Sequence, residues 1–163
     1  MTPEHLHLAL NHLPLLGAAL SLIPILIGLL TRNRMTLLSG LLMASLSGWS
    51  TPLVMETGEE AYDRYEDGPV RVYLDAGAEE ALEVHEHRAH DFAKFLYANA
   101  FLNTLCLGLL LLKKPHAEKI CWAAVAMGIL AVISGIWIAE SGGKIRRPDF
   151  RQPGAYAVDC EES

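Results

Sequence analysis

The chain has 163 residues, of which 52% are hydrophobic and 20% charged, and its formal net charge is −6. The charged residues are almost absent from four long apolar runs and are crowded between them, which argues against an ordinary soluble protein. The negative charge, without any long basic patch, also argues against nucleic-acid binding.

Each apolar run has about the 20 residues that a helix needs to cross roughly 30 Å of hydrocarbon. Backbone polar groups in lipid must be satisfied within their own segment, so each run is predicted to be a helix. The first run lacks a basic start and is too long for a signal peptide, so we expect it to be a retained span. The spans are predicted at about residues 5–30, 36–55, 78–112 and 118–140, followed by a tail at 141–163.

The predicted fold is therefore all-α: an integral membrane four-helix bundle of a single domain, with a partly ordered outer loop between helices 2 and 3. This acidic loop covers residues 56–91. Within it we predict a short helix at 57–65, a turn at 67–69 and a β-like run at 70–74.

Helix 3 is predicted to begin well outside the bilayer. Asp75 is a suitable N-cap for a helix that starts near Ala78, and no glycine or proline interrupts the chain between Ala78 and Leu107. This helix would carry the histidines of residues 85–90 on its outer part.

Small residues recur on two of the spans and predict close helix packing. They are Gly40, Ala44, Gly48, Gly128 and Gly135. Asn99 and Asn103 lie one turn apart within the third span, where either an interhelical hydrogen bond or a contact with a substrate or quinone would account for them. Cys106 and Cys121 belong to no CxxC motif and are expected to be buried hydrophobes.

Six of the seven histidines lie at the predicted outer end of the bundle. They are His5, His7, His12, His85, His87 and His90. His12 stands inside an apolar run, where an imidazole without partners costs about 1–3 kcal/mol for each unsatisfied nitrogen. His5 and His85 are expected to be solvated.

Four polar residues, one from each predicted span, fall at a similar height when residues are counted from the inner end. They are His12, Glu56, His90 and Glu140, with His87 as a neighbour of His90. Helical bundles build cofactor and metal sites in this way. His12 with His90 or His87 could supply the axial ligands of a b-type haem. His12, His87 and His90 with Glu56 and Glu140 could instead bind non-haem iron, zinc or copper.

Several stretches resemble an uncharacterised bacterial family of four-span membrane proteins. These are residues 11–14 (Asn-His-Leu-Pro), 57–61 (Thr-Gly-Glu-Glu-Ala), His85-Glu86 with Ala89, and 140–143 (Glu-Ser-Gly-Gly). Some members of that family are fused to Rieske iron–sulfur domains, which implies an electron-transfer context. The resemblance carries over no catalytic residues, and this chain has no Rieske motif.

Three functions remain open from the sequence. The first is a haem-binding electron-transfer subunit that links quinol to a periplasmic redox protein or belongs to a larger membrane complex. The second is a non-haem metal protein that uses the same residues, and the third is a structural subunit without a cofactor. The sequence alone does not decide whether the protein is an enzyme.

The two short loops are basic and predict the orientation in a bacterial inner membrane, because such loops stay in the cytoplasm. The termini and the acidic loop would then lie in the periplasm. The basic residues of the tail oppose this assignment, because an even number of spans puts the tail on the same side as the acidic loop.

We expect single cysteines introduced between residues 67 and 75 to react with an impermeant thiol reagent in intact cells, and a cysteine introduced beside Arg34 to be protected. The background should carry Cys160→Ser, so that the tail does not react. Labelling of the Arg34 site from outside would reverse the orientation.

Overall fold

A computed structural model of the chain describes residues 2–66, 68 and 75–151. Every regular element in this part of the chain is helical. The elements are α1 (Pro3–Leu10), α2 (Leu13–Thr31), α3 (Arg34–Gly48), α4 (Thr51–Glu66), α5 (Ala76–Leu111), α6 (Ala117–Arg146) and a 3-10 turn (Pro148–Phe150).

Four helical stretches are long and apolar enough to cross a membrane, which confirms the predicted fold class. The first stretch is α1 with α2, and the second is α3 with α4. α5 and α6 each form one stretch alone. Each of the first two stretches is interrupted once, just before a proline. Pro14 therefore lies in the first turn of α2, and Pro52 in the first turn of α4. A proline is tolerated there because the first helical N–H groups have no partner inside the helix.

The segment between α4 and α5 is shorter than the outer loop predicted at residues 56–91. The helix expected at 57–65 is present, but it belongs to a continuous α4 that ends at Glu66. The β-like run predicted at 70–74 lies outside the described residues, and of the predicted turn only Gly68 is described. α6 also extends to Arg146, so the tail begins later than predicted.

Helix α5 is a single helix of 36 residues, as predicted. Its N-cap is Asp75, whose carboxylate accepts hydrogen bonds from the backbone N–H groups of Gly77 at 3.0 Å and Ala78 at 2.9 Å. Arg151 donates to the same carboxylate and ties the end of the described chain to this cap. That hydrogen bond lowers the pKa of Asp75 below its ordinary value.

The described ends of the chain meet at one end of the bundle, here called the histidine end. His7 contacts α4 and His85 contacts α6 there. At the opposite end the Arg34 guanidinium donates to the Leu110 carbonyl at 2.8 Å, which joins α3 to the last turn of α5. The structure thus has the predicted up-and-down order, while the side of the membrane on which each end lies stays a prediction.

The core lies between the helices in the half away from the histidines. Ile25, Leu41, Cys106 and Cys121 are all at most 1% exposed and belong to one apolar cluster. The two cysteines are free thiols, in agreement with their predicted role as buried hydrophobes. The outer surface is apolar as well, with large side chains such as Phe101 exposed in the middle of a span. Such a surface is suited to contact with lipid.

Glycines allow the backbones of neighbouring helices to approach closely, as predicted for Gly40 and also at Gly28, which the predicted stripes did not include. A Cβ added at Gly28 would lie 2.5 Å from the backbone nitrogen of Leu37. One added at Gly40 would lie 2.7 Å from the backbone nitrogen of Ile25. A side chain at either position would therefore force α2 and α3 apart.

Asn99 and Asn103 are both 1% exposed, within α5. The Asn103 side-chain amide donates to both the backbone oxygen and the Oδ1 of Asn99, each at 2.8 Å. These hydrogen bonds are intrahelical, so the interhelical bond predicted from the sequence is wrong. The Oδ1 atom of Asn103 has no partner among the described residues.

We expect Gly28→Ala to lower the free energy of unfolding by about 1–3 kcal/mol, the usual cost of overpacking. Gly108→Ala is the matched control, because nothing lies within 4 Å of a Cβ added there. It should be neutral or stabilise the helix by up to about 1 kcal/mol, since alanine is the better helix former. Unfolding in mixed micelles followed by circular dichroism measures both. Equal stabilities would contradict the close approach of α2 and α3.

Candidate cofactor site

His7 is held by the second membrane-spanning stretch. Its Nδ1 lies 3.0 Å from the backbone oxygen of Val54 and 3.5 Å from the Thr57 hydroxyl. A carbonyl oxygen can only accept, so Nδ1 must carry the hydrogen and donate it. In the neutral ring, Nε2 is then the nitrogen that keeps the free lone pair.

His85 is held by α6 in the same manner. Its Nδ1 lies 3.1 Å from the backbone oxygen of Ile138 and 3.3 Å from the Ser141 hydroxyl. The carbonyl again fixes the hydrogen on Nδ1 and leaves Nε2 as the lone-pair nitrogen. His85 is partly buried by these contacts, so the expectation that it is solvated is wrong.

A glycine packs against each of these two rings. A Cβ added at Gly58 would lie 3.0 Å from Cε1 of His7, and one added at Gly142 would lie 3.0 Å from Cε1 of His85. Each glycine directly follows the residue whose hydroxyl lies near the ring. The missing side chain lets each imidazole lie close against the neighbouring helix backbone.

The two imidazoles lie beside each other in an edge-on arrangement. Their ring centroids are 6.4 Å apart and the ring planes meet at 76°. Neither Nε2 atom has a hydrogen-bond partner in the part of the chain that the structure describes. Two lone-pair nitrogens with fixed tautomers are thus available at one place.

The two halves of the chain build the two histidine positions from the same short patterns. His7 and His12 have the spacing of His85 and His90, and Glu-Thr-Gly at 56–58 matches Glu-Ser-Gly at 140–142. In each half the carbonyl that accepts from the imidazole lies three residues before the hydroxyl residue. The site therefore lies between two similar halves, α1–α4 and α5–α6, each of which supplies one histidine.

The five residues predicted to form the site do not converge on one place. His12 is exposed at the break between α1 and α2, and Glu56 is exposed on α4. His87 Nε2 lies 3.1 Å from Asp91 Oδ2, and His90 Nε2 lies 3.8 Å from Glu59 Oε1. Both histidines are on the surface.

Glu140 pairs with cations and not with a histidine. Its carboxylate contacts both Arg88 and Lys144, and Arg88 also donates to the Trp137 carbonyl at 3.0 Å. The described residues contain no group of three or more histidine, cysteine or acidic side chains that could hold a metal ion. The five predicted ligands are therefore not brought together into one metal site.

Sequence reasoning missed His7 and undervalued His85. Counting residues along the spans compares heights along the bundle but not the direction of a side chain around its helix axis. The apolar neighbours of His12 favoured it over His7. The useful signal was the repeat of the H-x4-H and E-[ST]-G patterns in the two halves. That repeat marks His7 and His85 as equivalent positions, each facing a hydroxyl residue and a glycine.

No protein-family model matches the chain, and comparison with curated proteins and with solved structures gives no match either. The resemblance to the four-span bacterial family stays a prediction from the sequence.

We expect Gly142→Ala to displace the His85 ring by a few tenths of an ångström and to weaken its hydrogen bond to Ile138. Gly143→Ala is the matched control, because the nearest atom to a Cβ there is 3.6 Å away on Phe150. Nitrogen NMR of histidine-labelled protein should show a shifted Nδ1 resonance for His85 in the first variant only. Identical spectra for the two variants would contradict the close packing of Gly142 on the ring.

Proposed function

We propose that this protein is a membrane electron-transfer subunit that binds a b-type haem between His7 and His85. The observation that carries the proposal is the pair of neighbouring imidazoles, each with its Nδ1–H donated to a backbone carbonyl. A haem held in this way supplies one-electron redox chemistry.

The spacing of the rings would allow both histidines to hold one metal ion, because metal–nitrogen bonds are about 2 Å long. The observed separation is 6.4 Å. At the histidine end, moreover, α1 packs on α4 and α5 packs on α6, while α4 and α5 touch only sparsely. A flat macrocycle needs this kind of loose boundary between two halves.

The hydrogen bonds prepare both rings for coordination. A histidine that binds a metal through Nε2 usually donates its other ring N–H to a carbonyl or carboxylate, which fixes the tautomer and the ring orientation. Val54 and Ile138 supply such carbonyls at 3.0 and 3.1 Å. Both rings therefore already have the arrangement that a ligand requires before any cofactor binds.

The number of ligands favours haem over a non-haem metal. Zinc sites in proteins take three or four protein ligands. The two histidines have no third histidine, cysteine or acidic side chain beside them within residues 2–66 and 75–151. A haem supplies four nitrogens of its own and requires from the protein only the two axial ligands.

The surroundings suit exchange of electrons with a soluble partner. Exposed acidic side chains crowd the outer parts of α4 and α5, at the same end as the two histidines. They include Glu59, Glu60, Asp63, Glu79, Glu80 and Glu83. Such a surface attracts a positively charged carrier and raises its rate of encounter. We place this end in the periplasm of a bacterial inner membrane, with quinol or a larger membrane complex as the other redox partner.

The decisive measurement is a pyridine haemochrome spectrum of protein purified in mild detergent from cells supplied with a haem precursor. We expect a b-type spectrum and a Soret band that His7→Ala and His85→Ala each abolish or shift. The same substitution at His12, His87 and His90 should leave the band in place. Circular dichroism of every variant controls for folding.

The other outcomes separate the alternatives. Loss of the band in His12→Ala and His90→Ala, but not in the first pair, would restore the ligands chosen from sequence. Protein without haem but with stoichiometric iron, zinc or copper would favour the non-haem reading. Absence of both from protein isolated with its native partners would leave a structural subunit and contradict the proposal.

A further inference from the structure

A basic cleft lies at the end of the bundle opposite the histidines. Its volume is about 490 Å³, within the roughly 300–1,000 Å³ of small-molecule sites. Arg34 lines it from α3, and the turn between α5 and α6 with the first turn of α6 supplies the other polar side chains. These are Lys113, Lys114, His116, Glu118 and Lys119.

The cations of the cleft are not neutralised within the described protein. No ion pair joins Arg34, Lys113, Lys114 or Lys119 to a carboxylate among the described residues. Glu118 is the only carboxylate in the lining. Four permanent positive charges against one negative charge leave a strongly positive cleft, which is suited to an anion.

Two residues that line the cleft have a strained backbone. Lys113 has φ 52° and His116 has φ 65°, both in the left-handed region that favours glycine. Non-glycine residues there cost on the order of 1–3 kcal/mol and persist only where the surroundings demand them. The turn closes through hydrogen bonds from Lys113 N–H to Leu110 and from Lys114 N–H to Leu109, both at 3.0 Å.

Two exposed apolar side chains are adjacent in sequence to residues that line the cleft. Met35, next to Arg34, is 71% exposed, and Leu112, next to Lys113, is 70% exposed. An acyl chain can lie against these side chains while the attached headgroup enters the cleft. A free phosphate would use the cations alone and would leave these apolar side chains without a role.

We propose that this cleft binds the phosphate headgroup of an anionic phospholipid. Lysine and arginine clusters at the membrane surface attract anionic lipids by about 1 kcal/mol for each basic residue. The proposal concerns the opposite end of the bundle from the histidines and does not depend on the presence of haem. It assigns the basic turn a specific ligand in addition to its effect on orientation.

The test is native mass spectrometry of the protein in a neutral detergent, titrated separately with phosphatidylglycerol and phosphatidylcholine. Wild type should bind phosphatidylglycerol more tightly. Lys114→Gln with Lys119→Gln should lower that affinity on the order of ten-fold and leave phosphatidylcholine binding unchanged. Lys114→Arg with Lys119→Arg keeps both charges and should bind phosphatidylglycerol with the affinity of the wild type.

The control is Arg32→Gln with Arg146→Gln, which removes the same charge outside the cleft. It should leave phosphatidylglycerol binding unchanged. An equal loss in both double variants would show attraction by overall charge and overturn the site. Displacement of phosphatidylglycerol by inorganic phosphate at equal concentration would show that the cleft binds free anions, and it would overturn the proposal of a lipid ligand. Helix content and thermal unfolding, measured in parallel, identify any variant that fails to fold.

Discussion

Apolar side chains in a bilayer gain little by leaving lipid for protein, so helices there associate through close packing and polar contacts. In this bundle several glycines lie at close approaches between helices. Gly28 and Gly40 bring α2 and α3 together, and Gly48 brings α3 against Ala100 of α5. The same device recurs at Gly58 and Gly142, where the close neighbour is an imidazole. Helix packing and the candidate site therefore depend on one constraint, the absence of a side chain.

The histidines join this packing through backbone carbonyls. Val54 and Ile138 lie within helices, and each of their oxygens can accept a second hydrogen bond beside the helical one. The Ser141 hydroxyl bonds back to the Ile138 carbonyl at 2.8 Å, and the Thr57 hydroxyl lies 2.9 Å from the Leu53 carbonyl and 3.1 Å from the Val54 carbonyl. Each imidazole N–H thus meets a small polar patch on an apolar helix. This arrangement gives the ring one satisfied nitrogen and one available nitrogen.

The two ends of the bundle have opposite character. The histidine end carries acidic side chains and surface ion pairs such as Arg64 with Glu4 and Arg88 with Glu140. The other end carries cations without carboxylate partners among the described residues. Exposed ion pairs contribute little stability, typically about 0–1 kcal/mol. The charge separation therefore matters more for partners and lipids than for the fold.

The sequence by itself determined the number of stretches able to span a membrane, their approximate limits, the long α5 with Asp75 as its cap, and the close packing at Gly40. These features follow from hydropathy, capping and side-chain size, which act locally and with helical period. The tertiary structure alone decided which histidines meet. His12 and His7 stand on either side of a helix break, and a count of heights cannot tell which of them faces the other half of the chain. Direction around a helix axis depends on where the neighbouring helix lies. Hydrogen bonds to Val54 and Ile138 and close packing on Gly58 and Gly142 place His7 and His85 beside each other.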